Sequence, residues 1–168
     1  MSRSLDDNRA AVQHFVSVAL GVPPDAWTRA PAAGKWSPAQ VAEHVARTMD
    51  QAILIIEGRV TSPSLPRLLR PLARRFVLRP VLRSGRFIRG GKAPKAFVPS
   101  ADGVPQAGVA AALERALVAY EECVARQRQA GHDEFEHPVF GRIPLVDYVR
   151  FNELHARHHE AQLPAGRS

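Results

Sequence analysis

Cysteine is nearly absent from the sequence: Cys123 is the single one among 168 residues. One cysteine cannot form an internal disulfide, so a disulfide-stabilised scaffold is excluded for this chain. Cys123 lies in a stretch of helical pattern, with no recognisable general base beside it in the sequence. We therefore interpret it as a buried structural thiol rather than as a nucleophile.

Long apolar runs are also missing, and none approaches the ~20 residues that a membrane-spanning helix needs. The first nine residues are polar and include Asp6 and Asp7, unlike the basic and apolar start of a signal peptide. A hydrophobic content of 45% with 23% charged residues is typical of globular proteins. We expect a cytoplasmic protein with one domain over residues 1–168, because this length suits a single core.

Acidic residues are absent from residues 59–101, which we call the basic segment. The rest of the chain has 12 basic and 16 acidic residues and a charge of −4, so the net +7 arises here. Such a segment can bind an anionic substrate, with Arg70, Arg74 and Arg75 as the candidates, contact nucleic acid through phosphates, or form a solvated face. Its basic residues are Arg59, Arg67, Arg70, Arg74, Arg75, Arg79, Arg83, Arg86, Arg89, Lys92 and Lys95.

Prolines interrupt the basic segment six times, which predicts one or two short helices over residues 66–82 and an extended loop over 85–99. No helix-turn-helix or other recognised nucleic-acid module is present, so nucleic-acid binding is the weakest interpretation. An amphipathic helix on an acidic membrane is compatible with the apolar spacing. A helix that covers the bundle, or a dimer contact, explains the same side chains more simply. These are Leu68, Leu69, Leu72, Phe76, Val77 and Leu82.

Outside the basic segment, apolar residues recur at intervals of three and four, which predicts helices over 5–20, 38–58, 108–129 and 144–163. Ser37 is a good N-cap and Pro38 suits the first helical position. Strand signals are weak, and 137–141 is predicted to be a turn. We expect an all-α fold, an antiparallel four-helix bundle with an irregular Pro/Arg-rich insertion between the second and third helices.

Two histidines lie one turn apart on the same side of the predicted fourth helix: His155 and His159. Imidazole nitrogens bind several divalent metals, and catalytic sites commonly use three protein ligands and leave one position open. The third ligand must come from elsewhere in the chain. His44 is the best candidate, because it adjoins Val45 and lies three residues from Val41 on the inward side of the second helix.

The remaining candidates have supporting or structural interpretations. His158 leans toward the side of the fourth helix away from Asn152, so we expect it to support the ligands or to face solvent. Asn152 and Gln162 adjoin the ligand pair and can orient it. Glu43 and Glu160 are expected to face solvent, His14 and His132 to be solvated, and His137 to be a turn residue.

Three short motifs occur in a fixed order: Trp36-Ser37 followed by His44, the turn at His137-Pro138-Val139-Phe140-Gly141, and the ending His155-Ala156-Arg157-His158-His159-Glu160-Ala161-Gln162-Leu163. Together they resemble the DinB-like superfamily of four-helix metal proteins, which includes the YfiT-like hydrolases and bacterial thiol-dependent transferases. The first is similar to the superfamily's "W-S-x-x-x-x-x-x-H" opening of the second helix. The other two are similar to "HPxFG" and "HxxHHxxQL" of an uncharacterised branch of the superfamily. Residues 59–92 contain no motif of the superfamily, and the loop Pro94-Lys95-Ala96-Phe97-Val98-Pro99 only vaguely resembles a "P-x-x-x-x-P" segment of the branch.

The resemblance implies a divalent metal, zinc or nickel in the first place, held by His44, His155 and His159. It further implies activation of water or of a small thiol cofactor, hence a hydrolase or a thiol S-transferase with a small-molecule substrate. A homodimer is compatible with this interpretation. The alternatives are a non-catalytic bundle that binds a ligand, with the histidines buried and hydrogen-bonded, and a nucleic-acid-binding accessory protein.

Overall fold

The computed structural model describes residues 3–59, 64–87 and 93–164. In chain order the α-helices are α1 (Arg3–Leu20), α2 (Pro24–Trp27), α3 (Pro38–Ile56), α4 (Arg70–Ala73), α5 (Arg79–Ser84), α6 (Val109–Gln129) and α7 (Leu145–Glu160). Short 3-10 helices cover Arg67–Leu69, Lys95–Phe97 and Gln106–Gly108, and Arg74–Leu78 is a π-helix. The strands are β1 (Glu134–His137) and β2 (Gly141–Pro144).

The four long helices α1, α3, α6 and α7 form the predicted antiparallel bundle. Helix α1 packs along α7 and α3 packs along α6, while α3 also meets α7. Their apolar stripes close one core in which Phe15, Leu117 and Val149 are fully buried, each contributing roughly 1.5–3 kcal/mol. Cys123 is buried in the same core, as expected. Across the described residues, no helix is long and apolar enough to span a bilayer.

Helix α3 begins where the sequence predicts, and its start is fixed by a capping box. The Ser37 hydroxyl accepts a hydrogen bond from the Gln40 amide, and the Gln40 side chain accepts one from the Ser37 amide. Pro38 occupies the first turn, where a missing N–H costs little. The apolar stripe of α3 buries one face of the helix, and His44 lies on that face, 4% exposed.

A short β-hairpin, which the sequence did not predict, precedes α7 in this mostly helical fold. Strands β1 and β2 pair antiparallel, with Glu134 opposite Pro144. His137 closes the predicted turn, because its Nδ1 accepts the amide hydrogens of Val139 and Phe140. Ile143 is fully buried, which gives the pairing a core-facing side.

The basic segment contains a broken helix over residues 67–84, which ends at Gly85 in a left-handed conformation. The prolines at 71 and 80 lie in the first turns of α4 and α5, positions that tolerate them. Leu78 and Val81 are buried. The covering-helix interpretation therefore holds for the second half of this helix. The predicted basic residues Arg89 and Lys92 lie outside the described residues.

The first half of the broken helix exposes its apolar side chains. Leu68, Leu69, Leu72 and Phe76 have exposed fractions of 89%, 46%, 51% and 64%. Among the described residues, these four make up half of the large apolar side chains that are exposed. We call this group the apolar patch.

Candidate metal centre

Three imidazole rings from two helices meet at one point of the bundle. His44 Nε2 on α3 lies 3.3 Å from His155 Nε2 on α7, and His159 Nε2 lies 3.1 Å from the same atom. A tetrahedral zinc ion with bonds of about 2.0–2.1 Å places its ligand nitrogens roughly 3.4 Å apart. The three residues form a group that can hold a metal ion, with their ligand atoms all within 4.8 Å of one another. We call it the histidine cluster.

Hydrogen bonds at the far side of two rings fix their orientation. His44 Nδ1 lies 2.7 Å from the carbonyl oxygen of Phe97, and His159 Nδ1 lies 3.0 Å from the Gln162 Oε1. Both oxygens only accept, so each Nδ1 carries the proton and each neutral ring keeps a lone pair on Nε2. Metal-bound histidines generally have this kind of partner. The two Nε2 lone pairs point into the cluster.

Burial lowers the pKa of all three histidines of the cluster, and neighbouring histidines add to the effect. Burial lowers the pKa of His159 to about 3, aided by the neighbouring His44. Burial also lowers the pKa of His44 and takes that of His155 well below its usual range, with His159 and His44 adding to the effect on His155. All three rings are consequently neutral at pH 7, the protonation state that metal binding requires.

The loop before α6 supplies the carbonyl that orients His44. Gly103 in this loop packs directly on Ala39 at the start of α3, and a side chain at Gly103 would collide with that backbone. The Val104 amide donates to the Ala39 carbonyl. Because the loop is held to α3 here, the Phe97 carbonyl is held against His44.

Aromatic rings surround the cluster on two sides. Trp36 lies 4.7 Å from His44 between ring centroids. The ring centroid of Phe87 lies 5.5 Å from that of His155 and 5.2 Å from that of His158. His155 is intermediate in exposure, whereas His44 and His159 are buried, 4% and 6% exposed.

A model of the family described as "Protein of unknown function (DUF1569)" matches residues 25–165. The chain belongs to the DUF1569 family. The match includes all three residues of the histidine cluster, and the family description names no activity. No curated protein and no solved structure matches the chain.

Gln162 and His158 extend the cluster of this DUF1569 chain toward its surface. The Gln162 amide donates to His158 Nε2 at 3.0 Å while its oxygen accepts from His159. His158 is partly exposed and contacts the cluster through this amide and through the edge of the His159 ring.

Asn152, a predicted neighbour of the ligands, is bonded elsewhere. Its amide nitrogen donates to the Tyr148 carbonyl at 2.8 Å and lies 3.3 Å from the Tyr120 hydroxyl. Its oxygen is buried and has no hydrogen-bond partner among the described residues. Asn152 thus links α7 to Tyr120 of α6, and these hydrogen bonds do not reach the ligands.

The two glutamates that flank the ligands in the sequence are held by other groups, contrary to the expectation that they face solvent. Glu43 is largely buried and accepts from Ser100 and Arg47. Burial raises the pKa of Glu43, but these hydrogen bonds outweigh it and the net shift is downward. Glu160 pairs with His14 at 2.7 Å. His14 itself is largely exposed, as predicted.

The three candidate anion-binding arginines are not gathered at the histidine cluster. Arg70 donates to the Leu65 carbonyl and to Glu136, and Arg74 donates to the Arg142 carbonyl, so both join the basic segment to the hairpin. Arg75 is exposed, with its guanidinium 5.7 Å from the centre of the Phe76 ring. Arg70 and Arg74 also line a hollow of about 240 Å³ beside the hairpin, which none of the three histidines lines.

Sequence reasoning missed the groups that come from loops. Phe87 lies in irregular chain and Phe97 ends a short 3-10 helix of the basic segment, and no pattern in the sequence places either beside a histidine. Trp36 could be found, because it belongs to the motif that opens α3.

Proposed function

We propose that this chain binds one divalent metal ion, zinc or nickel, through Nε2 of His44, His155 and His159. We further propose that it is a metal-dependent enzyme of the kind found in the DinB-like superfamily, which it resembles. The observation that carries the proposal is the convergence of three neutral imidazole nitrogens, at 3.1 and 3.3 Å, on one point.

The protonation states make a cation the natural occupant of that point. His44 and His159 both direct lone pairs at His155 Nε2, because their Nδ1 atoms donate to carbonyl oxygens. One N–H on His155 cannot form good hydrogen bonds to both lone pairs at once. A metal ion accepts all three lone pairs, whereas the metal-free arrangement leaves at least one buried and unmatched.

A bound ion would supply positive charge that lowers the pKa of a water molecule or thiol at the open position. The three imidazoles contribute no charge, and the flanking Glu43 and Glu160 are bonded to other side chains. These side chains therefore do not neutralise the two positive charges of the bound ion. We expect the site to favour an anionic form, hydroxide or thiolate, over a neutral one.

The aromatic residues in contact with the histidine cluster suit a small substrate with an apolar part. Phe87 lies beside His155, and Trp36 lies beside His44. Gln162 and His158 place polar groups next to His159. These features support a hydrolase or a thiol S-transferase, and both use the same three ligands.

Metal analysis of protein purified without a histidine tag tests the proposal. We expect about one ion per chain in the wild type and almost none in the His44→Ala/His159→Ala double variant, because one imidazole is too few ligands. The matched control is His14→Ala/His132→Ala, which removes two exposed histidines and should keep the metal. Equal, negligible metal in all three proteins would refute the proposal and favour a bundle with buried, hydrogen-bonded histidines.

Cobalt(II) substitution distinguishes a thiol from water at the open position. A thiolate bound to cobalt(II) gives a near-ultraviolet charge-transfer band that oxygen ligands do not give. If the enzyme is a thiol transferase, titration with a small thiol produces that band in the wild type and not in the double variant. A spectrum that stays unchanged up to millimolar thiol would favour the hydrolase.

A further inference from the structure

We propose that the apolar patch, together with the arginines around it, docks on a lipid surface that carries negative charge. The surface is made by Leu68, Leu69, Leu72 and Phe76, all exposed on the first half of the broken helix. This inference does not depend on the proposed metal function, because the patch shares no residue with the histidine cluster.

The spacing of the patch residues in the sequence places their side chains on one side of the helix. Leu68, Leu72 and Phe76 follow each other at intervals of four, so they lie on one side of the helix. The opposite side is already used, since Leu78 and Val81 are buried. A soluble protein rarely leaves such a group of large apolar side chains in water without a partner for it.

The positive charge around the apolar patch favours a partner that carries negative charge. Residues 64–87 contain seven arginines and no acidic residue. Arg70 and Arg74 are turned to the hairpin, and the other five arginines are exposed: Arg67, Arg75, Arg79, Arg83 and Arg86. An apolar helix face bordered by arginines is the pattern of helices that lie in the interface of anionic membranes.

A second copy of this chain fits the surface less well. A symmetric dimer through the patch would bring the same exposed arginines of both copies together. No carboxylate of residues 64–87 is available to offset them, and like charges across an interface oppose association. An anionic lipid surface meets both the apolar and the cationic side chains.

Sedimentation with lipid vesicles tests the proposal on the full chain. We expect binding to vesicles of phosphatidylcholine and phosphatidylglycerol in equal parts, at least about tenfold tighter than to phosphatidylcholine alone. Leu72→Ser/Phe76→Ser should weaken that binding at least about tenfold, because it removes two apolar side chains from the lipid. Arg75→Gln/Arg79→Gln should weaken it by roughly tenfold and make it less sensitive to salt.

The matched control is Leu20→Ser/Val146→Ser, which removes two exposed apolar side chains from α1 and α7. It should bind the anionic vesicles as the wild type does. Circular dichroism and the Tm establish that each variant is folded. The proposal is overturned by equal binding to both vesicle types, by no binding to either, or by patch variants that bind like the control. Two results in protein that does not bind lipid would also overturn the proposal. One is a dimer that dissociates in the Leu72→Ser/Phe76→Ser variant, and the other is retention of the protein on DNA.

Discussion

The bundle and the basic segment place polar and apolar side chains in opposite ways. The bundle buries polar groups, among them His44, His159 and Glu153, which is 1% exposed. Glu153 accepts from Arg150 and Arg157 on its own helix, so even this buried charge is paired. The first half of the broken helix instead exposes Leu68 and Phe76.

The difference shows where each part of the chain contributes to stability. Burying polar groups costs free energy unless they are bonded, so the bundle keeps its histidines only because each has a partner or can hold a metal. The basic segment gains little from its exposed apolar residues in water. The two proposals give each set of side chains a binding partner. The buried histidines would bind a metal ion, and the exposed apolar side chains would bind a lipid surface.

The sharpest test compares two phenylalanines. Phe15→Ala removes a fully buried ring of the bundle and should lower the free energy of unfolding by about 4 kcal/mol. Phe76→Ala removes a ring that is 64% exposed and should cost under about 0.5 kcal/mol. Urea denaturation of both variants measures the difference. Similar losses would mean that the apolar patch belongs to the core.

Metal removal should affect the bundle and spare the basic segment. With zinc at roughly a hundredfold its Kd, binding stabilises the fold by about 3 kcal/mol. A chelator should therefore lower the Tm of the wild type, and added zinc should restore it. The variant Leu72→Ser/Phe76→Ser should respond equally, whereas His44→Ala/His159→Ala should not respond. A wild type indifferent to both chelator and zinc would contradict the proposed metal site.

Acid should loosen the hairpin that joins the two regions. Burial lowers the pKa of His137 to about 4 from 6.5, with a smaller contribution from Arg70. Below pH 6.5 the unfolded chain then binds more protons than the folded chain, so stability falls as the pH drops toward 4. His137 should account for about 2 kcal/mol of the loss between pH 7 and 5.

The variant His137→Asn isolates that contribution, because asparagine can accept the two turn amides but does not titrate. Chemical denaturation at pH 7 and pH 5 should give a smaller loss in the variant than in the wild type by about this amount. The other buried histidines are common to both proteins and cancel in the difference. Equal losses would show that His137 does not titrate with unfolding.

The smallest effect is expected at the helix starts. Ser37→Ala removes the side-chain cap of α3 and should cost about 1 kcal/mol. Helices α4 and α5 of the basic segment have no side-chain cap, and Ser64→Ala, at an exposed serine, should cost under about 0.5 kcal/mol. Thermal unfolding of the two variants compares them. An equal shift in Tm for the two variants would show that the Ser37 cap contributes no more to stability than the exposed Ser64.

The bundle could be predicted from the sequence because each of its helices has a local sequence pattern. Apolar spacing predicts the four long helices, and Ser37 with Pro38 predicts the start of α3. The same spacing pairs His155 with His159. The apolar stripe of α3 makes His44 a candidate third ligand, but only the family resemblance indicates that its helix faces the pair, since no local rule tells which helices face each other.

The hairpin was missed although a weak signal existed. Glu134-Phe135-Glu136 and Arg142-Ile143 alternate polar and apolar residues on either side of the turn, but strands of four residues are too short for this period to stand out. Glu43 was wrongly expected to face solvent. Its partner Ser100 lies 57 residues away, and such loop contacts depend on the folded path of the chain.

His44 and His155 are 111 residues apart in the chain, yet their Nε2 atoms lie 3.3 Å apart. During synthesis from the N-terminus, His44 leaves the ribosome long before the helix that carries His155 and His159. A complete ligand set can therefore exist only after α7 has emerged and docked on α3. Metal loading at the proposed site would therefore require α7 to be synthesised and packed on α3, and a product truncated before His155 would fail to retain the ion.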